Sequence, residues 1–343
     1  MAANTQNIRI AVDAMGGDYA PENVVAGAID ALRETRGRFA INLVGQREKI
    51  EPLLHDAKKR SDWSPELCTI VHASEVISMN DAPNAALKTK KDSSITVGVN
   101  LHREGKVHAF VSAGNTGAVL SASTLILGRI AGVGRPTIGA MIPTTSSPCL
   151  LLDAGANVDC RAQHLFEFAV MGSIYLSSVL GKNNPTVALL SIGEEDTKGN
   201  EVSLETHSLL RKSKLNFVGN IEGRDILHGK VDVVVCDGFV GNILLKFGES
   251  VPGFLKVKFT RFASQGILNK LMVLFARKGM RSVLKELDYQ EHGGVPLLGI
   301  NGVSIIGHGG STPKAIKNMI YRAEEMVRHG VNTRIQEAMA QYA

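Results

Sequence analysis

Six times along this chain, a short apolar run ends in a loop dense in glycine and small polar residues. DAMGGD (13–18) follows the first run. SAGNTG (112–117) follows Phe110-Val111, DAGANVD (153–159) follows Leu150 to Leu152, and SIGEEDTKGN (191–200) follows Leu189-Leu190. DGFVGN (237–242) follows Val234 to Cys236, and GHGGST (307–312) follows Ile305-Ile306. Runs that are apolar throughout describe strands covered on both faces. Helical patterns lie between them, so the sequence predicts an α/β fold of parallel strands joined by crossover helices. Ligands in such sheets bind beyond the carboxyl ends of the strands. The six loops are therefore expected to converge on one rim of one sheet.

The predicted strands are Ile8–Ala14, Ala40–Val44, Thr69–His72, Ala109–Ser112, Cys149–Asp153, Thr186–Ser191, Asn216–Ile221, Val231–Cys236 and Val303–Gly307. The predicted helices are Asn23–Glu34, Asn84–Glu104, Gly117–Leu127, Arg161–Leu180, Glu201–Lys212, Ile243–Phe262, Ile267–Asp288 and Pro313–Gln341. No repeat, low-complexity tract or Pro/Ser-rich linker interrupts the 343 residues. A single catalytic domain over 1–343 is the simplest organisation, and two lobes are the other arrangement this length allows.

A 44% hydrophobic fraction excludes general disorder. No apolar run approaches the ~18 residues of a membrane-spanning helix. The N-terminal residues lack a basic segment followed by an apolar one, so a secretory signal is not expected and a cytoplasmic location is. Cys68, Cys149, Cys160 and Cys236 form no C-x-x-C pair. They read as reduced, mostly buried thiols rather than a zinc site, although Cys160 and His164 share a helical spacing.

The loops carry the chemistry. SAGNTG runs from strand to helix start, where backbone N–H groups and the helix dipole favour an anion. Ser112, Gly114, Asn115 and Thr116 would supply it, with Asn115 or Thr116 as an ordinary helix cap being the plainer reading. GHGGST repeats the logic with His308, Gly309, Gly310 and Ser311, and Pro313 stands ready to open the next helix. Asp13, Asp18, Asp153, Asp159, Glu194, Glu195, Asp196 and Asp237 accompany them, with one lysine, Lys198. That mixture suits a phosphate with a counter-charge, or a divalent metal with a hydroxy acid. The capping of loops and helices by aspartate is the common alternative. No P-loop, dinucleotide G-x-G-x-x-G or G-x-S-x-G elbow is present.

DAMGGD with SAGNTG resembles the bacterial acyl-ACP:phosphate acyltransferase (PlsX) family of phospholipid synthesis. The likeness runs from Ile8 to about Tyr321 and includes RPTIGAMIP, LLDAGANVD, SIGEEDTKGNE, FVGNIEGRDI, DVVVCDGFVGN and GGVPLLGI. One departure is Gly310, where the family pattern leads one to expect serine. The resemblance implies a Rossmann-like α/β/α sandwich similar to phosphotransacetylases and isopropylmalate dehydrogenases, assembled as a homodimer. It implies attack of inorganic phosphate on the thioester of a long-chain acyl-ACP, without metal or cofactor. A membrane glycerol-3-phosphate acyltransferase would consume the acyl-phosphate.

Carried over by motif, Lys198 would neutralise charge, and Asp237 and Asn242 would position phosphate and carbonyl. Ser112, Gly114, Asn115, Thr116, His308, Gly309, Gly310 and Ser311 would cradle phosphate. Asp13, Gly16, Gly17 and Asp18 would complete the rim. A small-acyl-CoA phosphotransacetylase is the nearest rival. A hydroxy-acid dehydrogenase lacks its nucleotide fingerprint, and a membrane-associated scaffold would have no need of the loops.

One segment stands apart in charge. The chain carries a net +5, yet residues 252–285 hold eight lysines and arginines and no carboxylate, so the remainder is net acidic. Leu268, Leu271, Met272 and Phe275 follow helical spacing, with Lys270, Arg277 and Arg281 on an adjoining stripe. Residues 251–285 therefore read as an inserted amphipathic helical arm. It suits a core-packed helix pair with a basic face, an anionic membrane surface, or the acidic carrier protein. Few aromatics and no recognition motif argue against nucleic acid.

Overall fold

A computed structural model describes residues 8–60, 63–286 and 293–342. The strands are β1 (Ile8–Asp13), β2 (Phe39–Gly45), β3 (Cys68–His72), β4 (Ala109–Ser112), β5 (Thr137–Ile138), β6 (Ala140–Ile142), β7 (Cys149–Leu152), β8 (Thr186–Leu190), β9 (Asn216–Ile221), β10 (Val233–Val235), β11 (Val295–Leu298) and β12 (Val303–Ile306). They build two sheets, in the orders β3-β2-β1-β4-β12-β11-β5 and β6-β7-β10-β8-β9. Every pair is parallel except β11 with β12, β11 with β5, and β6 with β7. The chain crosses from the first sheet to the second at Gly139, between two strands of two and three residues.

This corrects the expected single rim. DAMGGD, SAGNTG and GHGGST leave the first sheet, whereas DAGANVD, SIGEEDTKGN and DGFVGN leave the second. The strands that carry the chain across are too short to show a period.

The helices are α1 (Glu22–Thr35), α2 (Arg47–Arg60), α3 (Pro83–Thr89), α4 (Ser94–Arg103), α5 (Thr116–Ala122), α6 (Ala162–Val179), α7 (Glu201–Arg211), α8 (Gly238–Ala263), α9 (Ile267–Glu286), α10 (Pro313–Arg328) and α11 (Val331–Met339). Three expectations change. The helix expected over 84–104 is broken, because the Ser93 side chain accepts from the Thr96 N–H and starts a new helix there. The one expected over 313–341 breaks at Gly330, whose φ of 59° is left-handed. DGFVGN is mostly helix: α8 begins at Gly238, five residues before the expected Ile243, and runs through Pro252. α9 ends its described course at Glu286, so the expected end at Asp288 lies outside the described residues.

Both faces of the first sheet are covered. Ile10, Val12, Ile41 and Leu43 are buried with Leu32 of α1 and Ile316, Met319 and Ile320 of α10 in one cluster. Burial of each such side chain contributes about 1.5–3 kcal/mol. The two helices approach closely because residue 27 is glycine: a Cβ there would lie 2.5 Å from the Pro313 carbonyl oxygen.

Candidate active site

The two sheets enclose a cleft of about 180 Å³. Thr116, Gly307 and His308 line it from the carboxyl ends of β4 and β12, and Asn242, Lys246 and Glu249 line it from α8. Its apolar floor includes Ile138, Ala140, Met141 and Ala154. Asn242, Leu245, Lys246 and Glu249 follow i, i+3, i+4, i+7 spacing, so one face of α8 forms the wall. Asn242 can sit there because residue 155 opposite is glycine, where a Cβ would lie 3.2 Å from the Asn242 Cβ.

On the first sheet, three loops lock together through buried polar groups. Ser112 Oγ donates to Asp13 Oδ2 at 2.7 Å and accepts the Gly114 N–H at 3.0 Å. Asp13 Oδ1 accepts the Met15 N–H. Burial pushes the Asp13 carboxyl above its usual 3.8, against the opposing pull of hydrogen bonds from Ser94, Ser112, Met15 and Gly16. A side chain at Gly16 would strike Asp13 and the Gly114 nitrogen. The Asp18 N–H donates to the Gly309 carbonyl at 2.8 Å, which ties DAMGGD to GHGGST. Asp13, Ser112, Gly16 and Gly114 thus act on each other beneath the rim, while Asp18 is exposed.

Asn115 resolves toward the capping reading. Its Oδ1 accepts the Ala118 N–H, and its Nδ2 donates to the carbonyls of Ser78, Met79 and Asp81. Its side chain is therefore committed to holding the 78–81 segment. GHGGST is likewise partly committed. The Gly310 N–H donates to His308 Nδ1 at 3.1 Å, and both the N–H and Oγ of Ser311 donate to the His308 carbonyl. An Nδ1 that accepts places the proton of the neutral ring on Nε2.

The second-sheet loops are organised around Asp153. Its Oδ1 accepts from the N–H groups of Ile138, Gly155 and Ala156, and its Oδ2 from the N–H and Nδ2 of Asn157. Ile138 belongs to the first sheet, so Asp153 fastens one sheet to the other. Burial raises this carboxyl also. A Cβ at Gly241 would lie 1.8 Å from the Asp153 carbonyl oxygen, which explains the glycine inside DGFVGN.

Asp237 caps α8, its Oδ1 accepting the Val240 N–H at 2.9 Å. It lines a second cavity of about 600 Å³ together with Asp159, Cys160, Asn200, Ser203 and Cys236. Asp237 and Asn242 therefore face different cavities across the first turns of α8. Lys198 is exposed on the 191–200 loop and lines neither; its carbonyl accepts from Ser191 Oγ. All four cysteines are free thiols, and burial pushes Cys160 up to about 11.

Sequence reasoning missed Lys246 and Glu249. Their helical spacing from Asn242 was the available signal, and reading the start of α8 five residues late concealed it.

Beyond the cleft, α8 and α9 are joined by Ser264 to Gly266 and contact each other. Their apolar face is not covered by the described residues: Leu268 is 69% exposed and Phe275 85%. Leu271 is exposed too, and Lys270 and Arg277 lie exposed on the same helix. Arg281 lies on α9 where no side chain is described. No helix among the described residues is long and apolar enough to cross a membrane.

Two α/β sheets flanking a cleft, with glycine loops at the carboxyl ends of the strands, form a fold shared with a phosphotransacetylase from Streptococcus pyogenes. That structure is 17% identical, covers 94% of each chain and superposes with a TM-score of 0.61. The family model for the fatty acid synthesis protein matches residues 8–334. A phosphate acyltransferase of Heliobacterium modesticaldum is 50% identical over 330 residues, 96% of this chain and 97% of its own. One from Chlorobaculum parvum is 47% identical over 96% of this chain and 98% of its own. The chain belongs to this fatty acid synthesis protein family, the family its loop motifs resemble.

Proposed function

We propose that this chain transfers a long-chain fatty acyl group from acyl-ACP to inorganic phosphate, giving acyl-phosphate for phospholipid synthesis. The observation that carries the reading is the inter-sheet cleft, lined by Thr116, Asn242 and His308 from three of the glycine-loop motifs. A phosphate oxygen attacks the thioester carbonyl carbon, and an oxyanion forms and collapses. The carbon–sulfur bond breaks, and the phosphate proton ends on the departing thiol. Phosphate is already a nucleophile and thiolate a good leaving group, so the site must orient the two and stabilise the oxyanion. Asn242 is assigned to positioning phosphate or carbonyl, and Thr116 and His308 Nε2–H to donation. Asp237 is assigned a supporting role at the adjoining cavity and Lys198 one from the exposed 191–200 loop, which the turnover of Lys198→Ala and Asp237→Asn tests.

The exposed apolar face of α8 and α9 needs a cover, since a patch of this kind marks an interaction surface. We assign it to two contacts that can coexist across a homodimer, acidic ACP and the anionic inner surface of the plasma membrane. Peripheral attachment there would deliver acyl-phosphate to a membrane glycerol-3-phosphate acyltransferase.

The test is thiol release from palmitoyl-ACP with and without phosphate, beside acetyl-CoA and palmitoyl-CoA, with phosphorus NMR for acyl-phosphate. Phosphate-dependent release from palmitoyl-ACP is expected. Turnover with acetyl-CoA alone would make the chain a small-acyl phosphotransacetylase. No turnover, with retained liposome binding, would make it a scaffold.

A further inference from the structure

We infer that Lys246, held in reserve by Glu249, is the cation that receives the phosphate in the inter-sheet cleft. This rests on the acyl-transfer reading above and adds to it the residue that neutralises the nucleophile.

Three observations carry the inference. Lys246 is the only lysine or arginine among the described residues lining the cleft. It stands on the same face of α8 as Asn242, one helical turn further on. The floor beneath it is apolar, and a partner cation lowers the cost of bringing a phosphate with one to two negative charges against such a surface. Lys198, the lysine expected in that role, is exposed on a loop that does not line the cleft.

Glu249 explains how an uncompensated ammonium is avoided before substrate arrives. Lys246 Nζ donates to Glu249 Oε2 at 2.8 Å, one turn along the helix. The lysine side chain is 54% exposed and the glutamate 24%, so the ammonium can turn while the carboxylate stays more enclosed. An exposed i, i+3 pair is weak. Phosphate, with more charge and several acceptor oxygens, competes for the same ammonium. The carboxylate left behind repels the anion, so Glu249 limits phosphate affinity as well as parking the lysine. The ammonium moves no proton in this account; it screens the charge of the attacking oxygen and fixes phosphate beside Asn242.

The experiment is steady-state thiol release from palmitoyl-ACP by the full-length enzyme, with phosphate and donor varied separately, for wild type, Lys246→Met, Lys246→Arg and Glu249→Gln. Phosphate affinity is read independently by titration calorimetry, and folding by thermal melting. Lys246→Met should raise the KM for phosphate about tenfold or more, the weight of one charge-assisted hydrogen bond. The KM for palmitoyl-ACP should stay within about twofold. Lys246→Arg should restore most of the phosphate affinity, and Glu249→Gln should lower the phosphate KM. An unchanged phosphate KM in Lys246→Met, or equal rises for both substrates, overturns the inference while the acyl-transfer reading stands. Absence of phosphate-dependent turnover in wild type overturns both.

Discussion

Ser112 Oγ donates to Asp13 Oδ2 at 2.7 Å, joining the loop after β1 to the loop after β4 beneath the cleft. The Asp13 carboxyl is buried, and its value lies above the usual 3.8. The folded state therefore binds this proton more tightly than the unfolded chain does. Its contribution to stability is full below the unfolded value and is lost as pH rises through the folded one. Asp13→Asn removes the titration. The stability gap between wild type and Asp13→Asn should narrow as pH rises from about 4 toward 7. Urea denaturation across that range measures it, and a gap independent of pH would mean that Asp13 does not titrate there.

Asn115 makes one cap bond and three bonds to the carbonyls of residues 78, 79 and 81. Asn115→Ala should cost about 1–2 kcal/mol from the cap alone. It should also speed amide exchange within 78–82, with smaller changes elsewhere. Exchange mass spectrometry reads the second effect. Unchanged exchange in that segment would show that the side chain only caps α5.

Asp237 separates capping from chemistry. Asparagine caps helices as well as aspartate does, whereas alanine loses about 1 kcal/mol. Asp237→Asn should melt near wild type, and Asp237→Ala should melt lower. If the Asp237 charge serves acyl transfer, both variants lose turnover; a fully active Asp237→Asn confines the residue to capping.

Phe275 projects from α9 with 85% of its surface exposed. Phe275→Asp should weaken sedimentation with vesicles of phosphatidylglycerol and leave melting unchanged, because the side chain adds little to the chain's own core. Equal binding by the variant would remove this face from membrane contact.

The strands that carry loops were legible because their apolar runs are interrupted by glycine and small polar residues at every carboxyl end. What was not legible is that β5 and β6 are too short to show a period and stand on either side of Gly139. Without them, one sheet is the natural reading, and the six loops share a rim. Asp153 shows the same limit: its residue type suggests a site carboxylate, and only its five donors, one from Ile138, reveal a fastening between sheets. The start of α8 was hidden by the glycines at 238 and 241, which disfavour helix on propensity yet are required where α8 meets the 153–157 loop. That misplaced boundary is why Asn242 was found and Lys246 was not.

The position of β12 has a consequence for synthesis of the chain. Its place is between β4 and β11 in the first sheet, yet it begins only at Val303, after every strand of the second sheet. A nascent chain emerging from the ribosome can pair β6 to β10 while β4 still presents bare N–H and carbonyl groups on one side. Such an edge invites pairing with other chains. The first sheet to begin is the last to close, and any polypeptide ended before Val303 keeps that edge open.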